Sequence, residues 1–179
     1  GFRRNLTVGE IVAQVIEMQR VARAEDEAQM AEGKRSKGDI QGVTNVVFMG
    51  MGEPLANYRN VIAAIRVLND GQGLNIGARH ITVSTVGLVP QILQLAEEEL
   101  QINLAISLHA PDNATRSQTM PVNKRYPVEE LIRACHKYAD ATGRRIFFEY
   151  VLLKEQNDSV EQAQKLGRLL NGLHCHVNL

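Results

Sequence analysis

The chain has 179 residues, of which 44% are hydrophobic and 22% are charged, and its 20 basic residues balance its 20 acidic ones. This composition is typical of one folded domain, or one piece of a larger one, and excludes both an extensively disordered chain and a strongly basic nucleic-acid-binding domain. Because no apolar run approaches the roughly 18 residues of a membrane helix and the first residues do not resemble a signal peptide, we expect a cytoplasmic protein.

Apolar periodicity predicts helices and strands that alternate along the chain. A helix begins at Val8, where Thr7 and Glu10 form a capping-box pattern, and continues to Val21. Residues 22–42 are charged and contain glycine, so we expect an exposed, flexible connection that is helical only at its start. The next elements are a strand over 43–49, a helix over 58–68, a strand over 78–85, a helix over 90–100, a strand over 102–108, a helix from 127, a strand over 146–153, a helix to 170 and a strand over 175–179.

This alternation predicts a parallel sheet covered by helices, in a single domain over residues 1–179. Two α/β architectures stay open, an open doubly wound sheet and a barrel of strands and helices. The strands are nearly continuous apolar runs, which favours burial on both of their faces. In either architecture we expect binding residues where the strands end, because parallel strands bring their carboxyl ends to one edge.

The segment VVFMGMGEPLANY, residues 46–58, passes from an apolar strand into two glycines, a carboxylate and a proline. Gly50 and Gly52 can be explained as turn glycines, and Pro54 as the residue that ends strand pairing. Glu53 favours a functional interpretation, because a carboxylate beside exposed carbonyl groups offers strong acceptors to an ammonium group. The loop is therefore predicted to hold an amino-acid-like ligand.

Two further strand ends carry candidate ligand contacts. Ser84 and Ser107 each follow an apolar run, where a serine hydroxyl either contacts a ligand or caps the next helix. His109 leaves three alternatives open: a general base, a metal ligand or, most often for an isolated histidine, a hydrogen-bonded loop residue. If the predicted fold is correct, the Glu53 carboxylate and the two serine hydroxyls share one mouth.

Histidine, cysteine and basic residues elsewhere favour structural interpretations. His174 and His176 fall on one face of the last strand, but a metal site is not favoured without a third ligand. Cys135 lies on the apolar face of its helix and is predicted to be core, and Cys175 is too distant in sequence to form a C-x-x-C pair with it. Short basic clusters are typical of solvated surface, and local RNA contact stays open.

Several segments together resemble one family. They are GFRRNLTVGEI, NVVFMGMGEPLANY, ITVSTVGLVP, LAISLHAP, MPVN, EYVLL followed by NDS, and the terminal VNL. Their order and spacing resemble those of RlmN-type dual-specificity RNA methyltransferases, members of the radical S-adenosylmethionine superfamily. The resemblance covers nearly the whole chain, is weakest over residues 22–42, and is most specific in the joint presence of GMGEP, STVG and SLHA.

The resemblance implies a partial barrel of about five strand–helix units that holds S-adenosylmethionine and a 4Fe-4S cluster. Gly52 and Glu53 match the positions that hold the methionine amino group of S-adenosylmethionine. Further positions that contact S-adenosylmethionine are matched by Ser84, Ser107, Leu108 and His109. The matched positions coincide with the strand ends selected from the residues themselves.

The resemblance also implies a reaction and its partners. The family methylates carbon 2 of an adenine in large-subunit ribosomal RNA and in certain transfer RNAs, a carbon without a lone pair to attack a methyl sulfonium. In the family, one S-adenosylmethionine methylates a protein cysteine, and a second is cleaved by the reduced cluster to a radical that abstracts hydrogen from that methyl group. An electron donor such as flavodoxin is an implied partner.

The cysteines depart from the family pattern. The cluster-binding C-x-x-x-C-x-x-C motif is expected immediately before GFRRNLT, and the methyl-carrying cysteine and its partner are expected after VNL, so this chain contains none of them. Cys135 and Cys175 match neither set, and one more ligand-contacting asparagine is expected beyond Leu179. We therefore expect an internal fragment without its first strand and cluster loop, with no catalytic or metal-binding residue of its own, that is inactive in isolation.

Two other functional interpretations stay open. A related radical enzyme of the Cfr type, which methylates carbon 8 of the same kind of base, shares most of these motifs. A non-catalytic module that only binds a nucleoside or RNA is the third interpretation.

Overall fold

The computed structural model describes residues 3–34 and 42–179, and within them lie six α-helices and five β-strands. The helices are α1 (Val8–Ala31), α2 (Tyr58–Asn69), α3 (Val89–Ala96), α4 (Asn113–Thr119), α5 (Val128–Thr142) and α6 (Val160–Leu169). The strands are β1 (Val46–Phe48), β2 (Ile81–Thr85), β3 (Asn103–Ser107), β4 (Ile146–Glu149) and β5 (Cys175–Asn178). All five predicted strands are present, and each is shorter than its apolar run.

Three helices differ from the prediction. α3 ends at Ala96, four residues before its predicted end. α1 continues beyond Val21 to Ala31, because the added residues are mostly alanine, glutamate, arginine and glutamine, which favour helix even without an apolar stripe. The rest of the predicted connection, residues 35–41, lies outside the described residues. α4 is absent from the prediction because its sequence, NATRSQT, has no apolar periodicity; Asp112 caps it by accepting a hydrogen bond from Thr115 N at 2.9 Å.

The described residues group into two compact units. One combines the described part of Gly1–Val47 with Asn57–Ile81, and the other combines Phe48–Ala56 with Thr82–Leu179. In the first unit α1 packs against α2, and the predicted capping box of Thr7 and Glu10 is confirmed. A single domain over residues 1–179 stays a prediction. No helix in the described part of the chain is both long and apolar enough to cross a membrane.

The strand order selects between the two predicted architectures. The sheet has the order β1-β2-β3-β4-β5, and β2 to β5 pair in parallel. Because each strand lies next to the one before it, right-handed crossovers place the helices that connect β2 to β5 on one face of the sheet. A doubly wound sheet needs a reversal of strand order. The sequential order is therefore that of a barrel of strands and helices.

The two faces of β2 to β5 have different chemistry. On one face Val83 pairs with Leu104, and Ile106 with Phe148, and none of these side chains is exposed. The opposite face carries Ser84, Ala105, Ser107, Phe147, Glu149, His176 and Asn178. The expectation of burial on both faces therefore holds for Ser84 and Ala105, which are buried, but not for the rest of this face, which is half-buried or exposed. Small and aromatic residues on the polar face lengthen the apolar runs of the sequence and hide the alternation.

Candidate functional site

Glu53 lies in the loop after β1 and joins that loop to the end of β2. Its Oε2 accepts a hydrogen bond from Val86 N at 2.9 Å, and its Oε1 accepts one from Leu55 N at 3.0 Å. The sequence pattern assigns this carboxylate to a ligand, whereas in the structure it holds two backbone N–H groups. A carboxylate has about four acceptor sites, so each oxygen keeps the capacity for one further hydrogen bond.

The residues before Glu53 expose their backbone. Gly50, Met51 and Gly52 are all exposed, and their carbonyl oxygens accept no hydrogen bond from the residues that the structure describes. A Cβ added at either glycine would meet no atom within 4 Å, and neither glycine has a positive φ. Neither local packing nor turn geometry therefore requires these glycines, whereas close approach of a ligand to the backbone would.

Ser84 and Ser107 lie on the polar face of the sheet, at the ends of β2 and β3. Ser84 pairs with Ala105, and Ser107 is two residues further along the same strand, so both side chains point to one face. Neither serine caps a helix, since Leu88 precedes α3 and Asp112 caps α4. Of the two alternatives for these hydroxyls, helix capping is excluded.

The segments that carry the three groups predicted to share one mouth are joined at one edge of the sheet. Val86 follows Ser84 by two residues, and its N–H binds the Glu53 carboxylate. The carbonyl oxygens of Val86 and Ser107 both accept hydrogen bonds from one nitrogen of Arg116, at 2.8 and 3.1 Å. The loop after β1 and the ends of β2 and β3 are thereby joined through a chain of hydrogen bonds.

His109 is a hydrogen-bonded loop residue, the alternative that the sequence favours. Its φ is 57°, uncommon for a residue with a side chain, and its Nδ1 accepts a hydrogen bond from Val151 N at 3.2 Å. Burial lowers the pKa of His109, and the charge of Arg116 lowers it further, while Glu149 opposes both. The ring is therefore neutral at pH 7, with Nε2–H as its donor. Such a ring can donate to a ligand without acting as a base.

Leu108 contributes only its backbone. Its side chain is fully buried, its N–H donates to Glu149 O at 3.0 Å, and its carbonyl accepts from Arg116 Nε at 3.1 Å. The predicted contact between Leu108 and a ligand therefore depends on main-chain atoms alone and stays a prediction.

Nothing in the sequence pattern points to Arg116, which is completely buried on α4. Besides the carbonyl groups of Val86, Ser107 and Leu108, its guanidinium binds Asn123 Oδ1 at 3.1 Å. Burial lowers the pKa of Arg116 to about 10, so it stays protonated at neutral pH. One signal in the sequence could have revealed α4. Asp112 is a typical N-cap residue, and such a residue marks the start of a helix.

Asn157 organises the loop after β4 around His109. Its Nδ2 donates to His109 O at 2.7 Å and to Val151 O at 2.8 Å, and its Oδ1 accepts from Leu153 N at 2.6 Å. Asn157 is 3% exposed. The NDS segment quoted from the sequence thus supplies a buried amide that satisfies three backbone groups.

We expect Asn157→Leu to lower the free energy of unfolding by about 2–4 kcal/mol, because the similar-sized side chain leaves three partly buried backbone groups without their partner. Urea unfolding of both proteins measures the change. Asn171→Leu, at an exposed position, is the matched control and is expected to change stability by less than about 0.5 kcal/mol. A loss no larger than that of the control contradicts the prediction.

The two cysteines, and the histidines His174 and His176, belong to no candidate metal site among the described residues. Within the residues that the structure describes, no group of three or more His, Cys, Asp or Glu could hold a metal ion. His174 precedes β5, and His176 packs edge-on against Phe147 at 6.1 Å between ring centroids. Cys135 is confirmed as core, since it is fully buried and burial raises its pKa to about 12. Burial also raises the pKa of Cys175.

Comparison with known proteins supports the same fold. Proteins of Clostridium acetobutylicum and Dictyoglomus turgidum, both named probable dual-specificity RNA methyltransferase RlmN, are 53% and 52% identical over all 179 residues. The chain spans 47% of each, about half their length. A solved radical SAM methyltransferase from Sphaerobacter thermophilus is 50% identical and matches with a TM-score of 0.87, over 100% of this chain and 48% of its own. The predicted partial barrel is therefore confirmed.

The match to a family model extends over most of the sequence. The model of the radical SAM superfamily aligns with residues 2–167. Since this range includes the loop after β1 and the ends of β2, β3 and β4, the strand ends described above are part of the match. The chain belongs to the radical SAM superfamily.

Proposed function

We propose that this chain is part of an enzyme that methylates carbon 2 of adenine in large-subunit ribosomal RNA and in transfer RNA. The observation that carries the proposal is the Glu53 bridge, which holds the glycine loop against the end of β2 beside Ser84 and Ser107. The relatives from Clostridium acetobutylicum and Dictyoglomus turgidum, named dual-specificity RNA methyltransferases, support the reaction class.

The residues at the mouth fit S-adenosylmethionine. Its ammonium group needs acceptors, which the carbonyl groups of Gly50 to Gly52 and the spare capacity of Glu53 supply. Its hydroxyl groups need partners, which Ser84, Ser107 and the Nε2–H of His109 can provide. When bound, S-adenosylmethionine supplies the methyl group and the radical chemistry of the superfamily. The backbone and side chains of this chain bind and orient it.

The same residues do not fit a 4Fe-4S cluster. Such clusters are held by thiolates, and the 179 residues contain only two cysteines. Cys135 is buried in the core with its pKa raised to about 12, and Cys175 is on β5 with its pKa also raised. We therefore propose that the 179 residues alone do not cleave S-adenosylmethionine, and that cluster ligands come from other residues of the protein.

RNA, an electron donor and a cytoplasmic setting complete the proposal. The neutral overall charge of 20 basic and 20 acidic residues indicates that RNA contact is local rather than spread over the whole surface. Radical cleavage of S-adenosylmethionine consumes an electron, so a reductant of the flavodoxin kind is required. Such an enzyme acts where ribosomal and transfer RNA are made.

The test uses the protein expressed from its complete coding sequence. It is incubated with S-adenosylmethionine, a reductant and ribosomal or transfer RNA, and the RNA nucleosides are analysed by mass spectrometry. We expect 2-methyladenosine, and we expect none from the 179-residue chain supplied with iron and sulfide. A product of 8-methyladenosine would overturn the carbon 2 assignment, and no modified adenosine with either RNA would overturn the proposed reaction.

A further inference from the structure

Arg116 is a buried cation without a carboxylate partner. The residue is 0% exposed, and its guanidinium donates to four oxygen atoms, all of them uncharged. Within the part of the chain that the structure describes, no acidic side chain forms an ion pair with it. Burial of a charge is costly and is normally offset by an opposite charge. An arginine held in this way must have its acceptors placed accurately.

Three of the four acceptors belong to the proposed binding site. Val86 O, Ser107 O and Leu108 O come from the ends of β2 and β3, and lie 2.8 to 3.1 Å from the guanidinium nitrogens. Because the guanidinium is a rigid planar fork, these bonds fix the two strand ends relative to each other. The backbone of Val86 is held on both sides, since its N–H binds Glu53.

The fourth acceptor connects Arg116 to a polar support formed by α4 and the short turn of helix that follows it. Asn123 is 2% exposed, accepts from Arg116, and donates to Asn113 Oδ1 at 3.0 Å and to Ser117 Oγ at 2.8 Å. Asn113 Oδ1 in turn accepts from Val128 N at 2.8 Å, at the start of α5. The arginine is therefore anchored on a helix that has its own support, and the strand ends are held against that anchor.

We infer that Arg116 is a positioning residue for S-adenosylmethionine binding, which aligns the ends of β2 and β3 so that Ser84, Ser107 and the backbone at His109 face one ligand together. This inference rests on the proposed function. It goes beyond that function because Arg116 itself is fully buried and acts only through the backbone that it holds.

The test compares Arg116→Lys with the unchanged protein, each expressed from the complete coding sequence. Lysine keeps the charge, but its compact ammonium cannot span the same four acceptors. We expect S-adenosylmethionine to bind about tenfold more weakly by isothermal titration calorimetry, the loss expected from one or more hydrogen bonds to a charged group.

Ile146→Val is the matched control for destabilisation alone. Ile146 is fully buried at the start of β4, at the opposite end of the strand from the site. Its loss of one methyl group lowers stability, and we expect the dissociation constant for S-adenosylmethionine to stay within about twofold. Both variants are measured at a temperature at which their circular dichroism is that of the folded protein.

Amide hydrogen exchange provides a readout that does not need the ligand. In Arg116→Lys we expect faster exchange over residues 84–88 and 107–110, and in Ile146→Val we expect no change there. Equal binding of S-adenosylmethionine by Arg116→Lys and the unchanged protein would overturn the inference, as would weaker binding with unchanged exchange at both segments. An unchanged protein that fails to bind S-adenosylmethionine would instead overturn the proposed function on which the inference rests.

Discussion

Glu53→Gln is expected to weaken S-adenosylmethionine binding about 10-fold to 100-fold and to lower the free energy of unfolding by about 1–3 kcal/mol. Both oxygens of the carboxylate accept backbone N–H groups, from Leu55 and Val86. The amide of glutamine has one oxygen and one NH₂ group, so it can accept only one of the two backbone N–H groups. The other N–H group then faces the NH₂ group, and two donors repel each other. Titration calorimetry and urea unfolding measure the two effects.

Two further variants separate the effect of charge from that of geometry. Glu53→Asp keeps the charge but is too short to reach both N–H groups, so we expect an intermediate loss of affinity. Glu99→Gln removes a carboxylate from an exposed position between α3 and β3, and we expect it to change neither quantity measurably. If Glu53→Gln binds S-adenosylmethionine as tightly as the unchanged protein, Glu53 does not shape the site.

The edge that carries the site was predictable, but the partners of Glu53 were not. Strand ends are visible as the points where apolar runs give way to glycine and polar residues, and parallel pairing brings such ends together. The bond from Glu53 to Val86 spans 33 residues of sequence, and no local pattern encodes which backbone N–H group a carboxylate will meet. The sequence therefore assigned Glu53 to the edge where the strands end and missed its bridging role.

Arg116 and α4 escaped prediction for a related reason. Helix prediction relies on an apolar stripe, and a seven-residue helix with the sequence NATRSQT has none. Burial of an arginine is rare and depends on acceptors collected from three other segments. Such acceptors are identified only once the strand order and the register are known.

The polar face of β2 to β5 shows a third limit of sequence patterns. Alternation is clear only when the second face is strongly polar. Here Ala105 and Phe147 share that face with Ser84 and Ser107, so β3 and β4 resemble strands buried on both sides. The half-buried face is what a ligand-binding barrel requires, because its interior must accept both apolar and polar groups of a ligand.

Gly87→Ala is expected to lower the free energy of unfolding by about 1–3 kcal/mol and to weaken S-adenosylmethionine binding as well. Gly87 has a φ of 101°, and a Cβ there would lie 3.0 and 3.1 Å from the two methyl carbons of Leu131. Leu131 is fully buried on α5, so its methyl groups would have to shift by a few tenths of an ångström within the core. Because Val86 binds both Glu53 and Arg116, any shift of this turn disturbs the site.

A double variant tests whether the contact with Leu131 causes part of this loss. Leu131→Ala alone creates a cavity and is expected to cost about 2–5 kcal/mol. In the double variant the new methyl group enters that cavity, so the combined cost should fall short of the sum by about 1 kcal/mol, while the cost of the positive φ remains. Gly71→Ala, in open space with no positive φ, is the control and should be nearly neutral. Strictly additive costs would show that backbone strain alone, and not packing against α5, excludes a side chain at position 87.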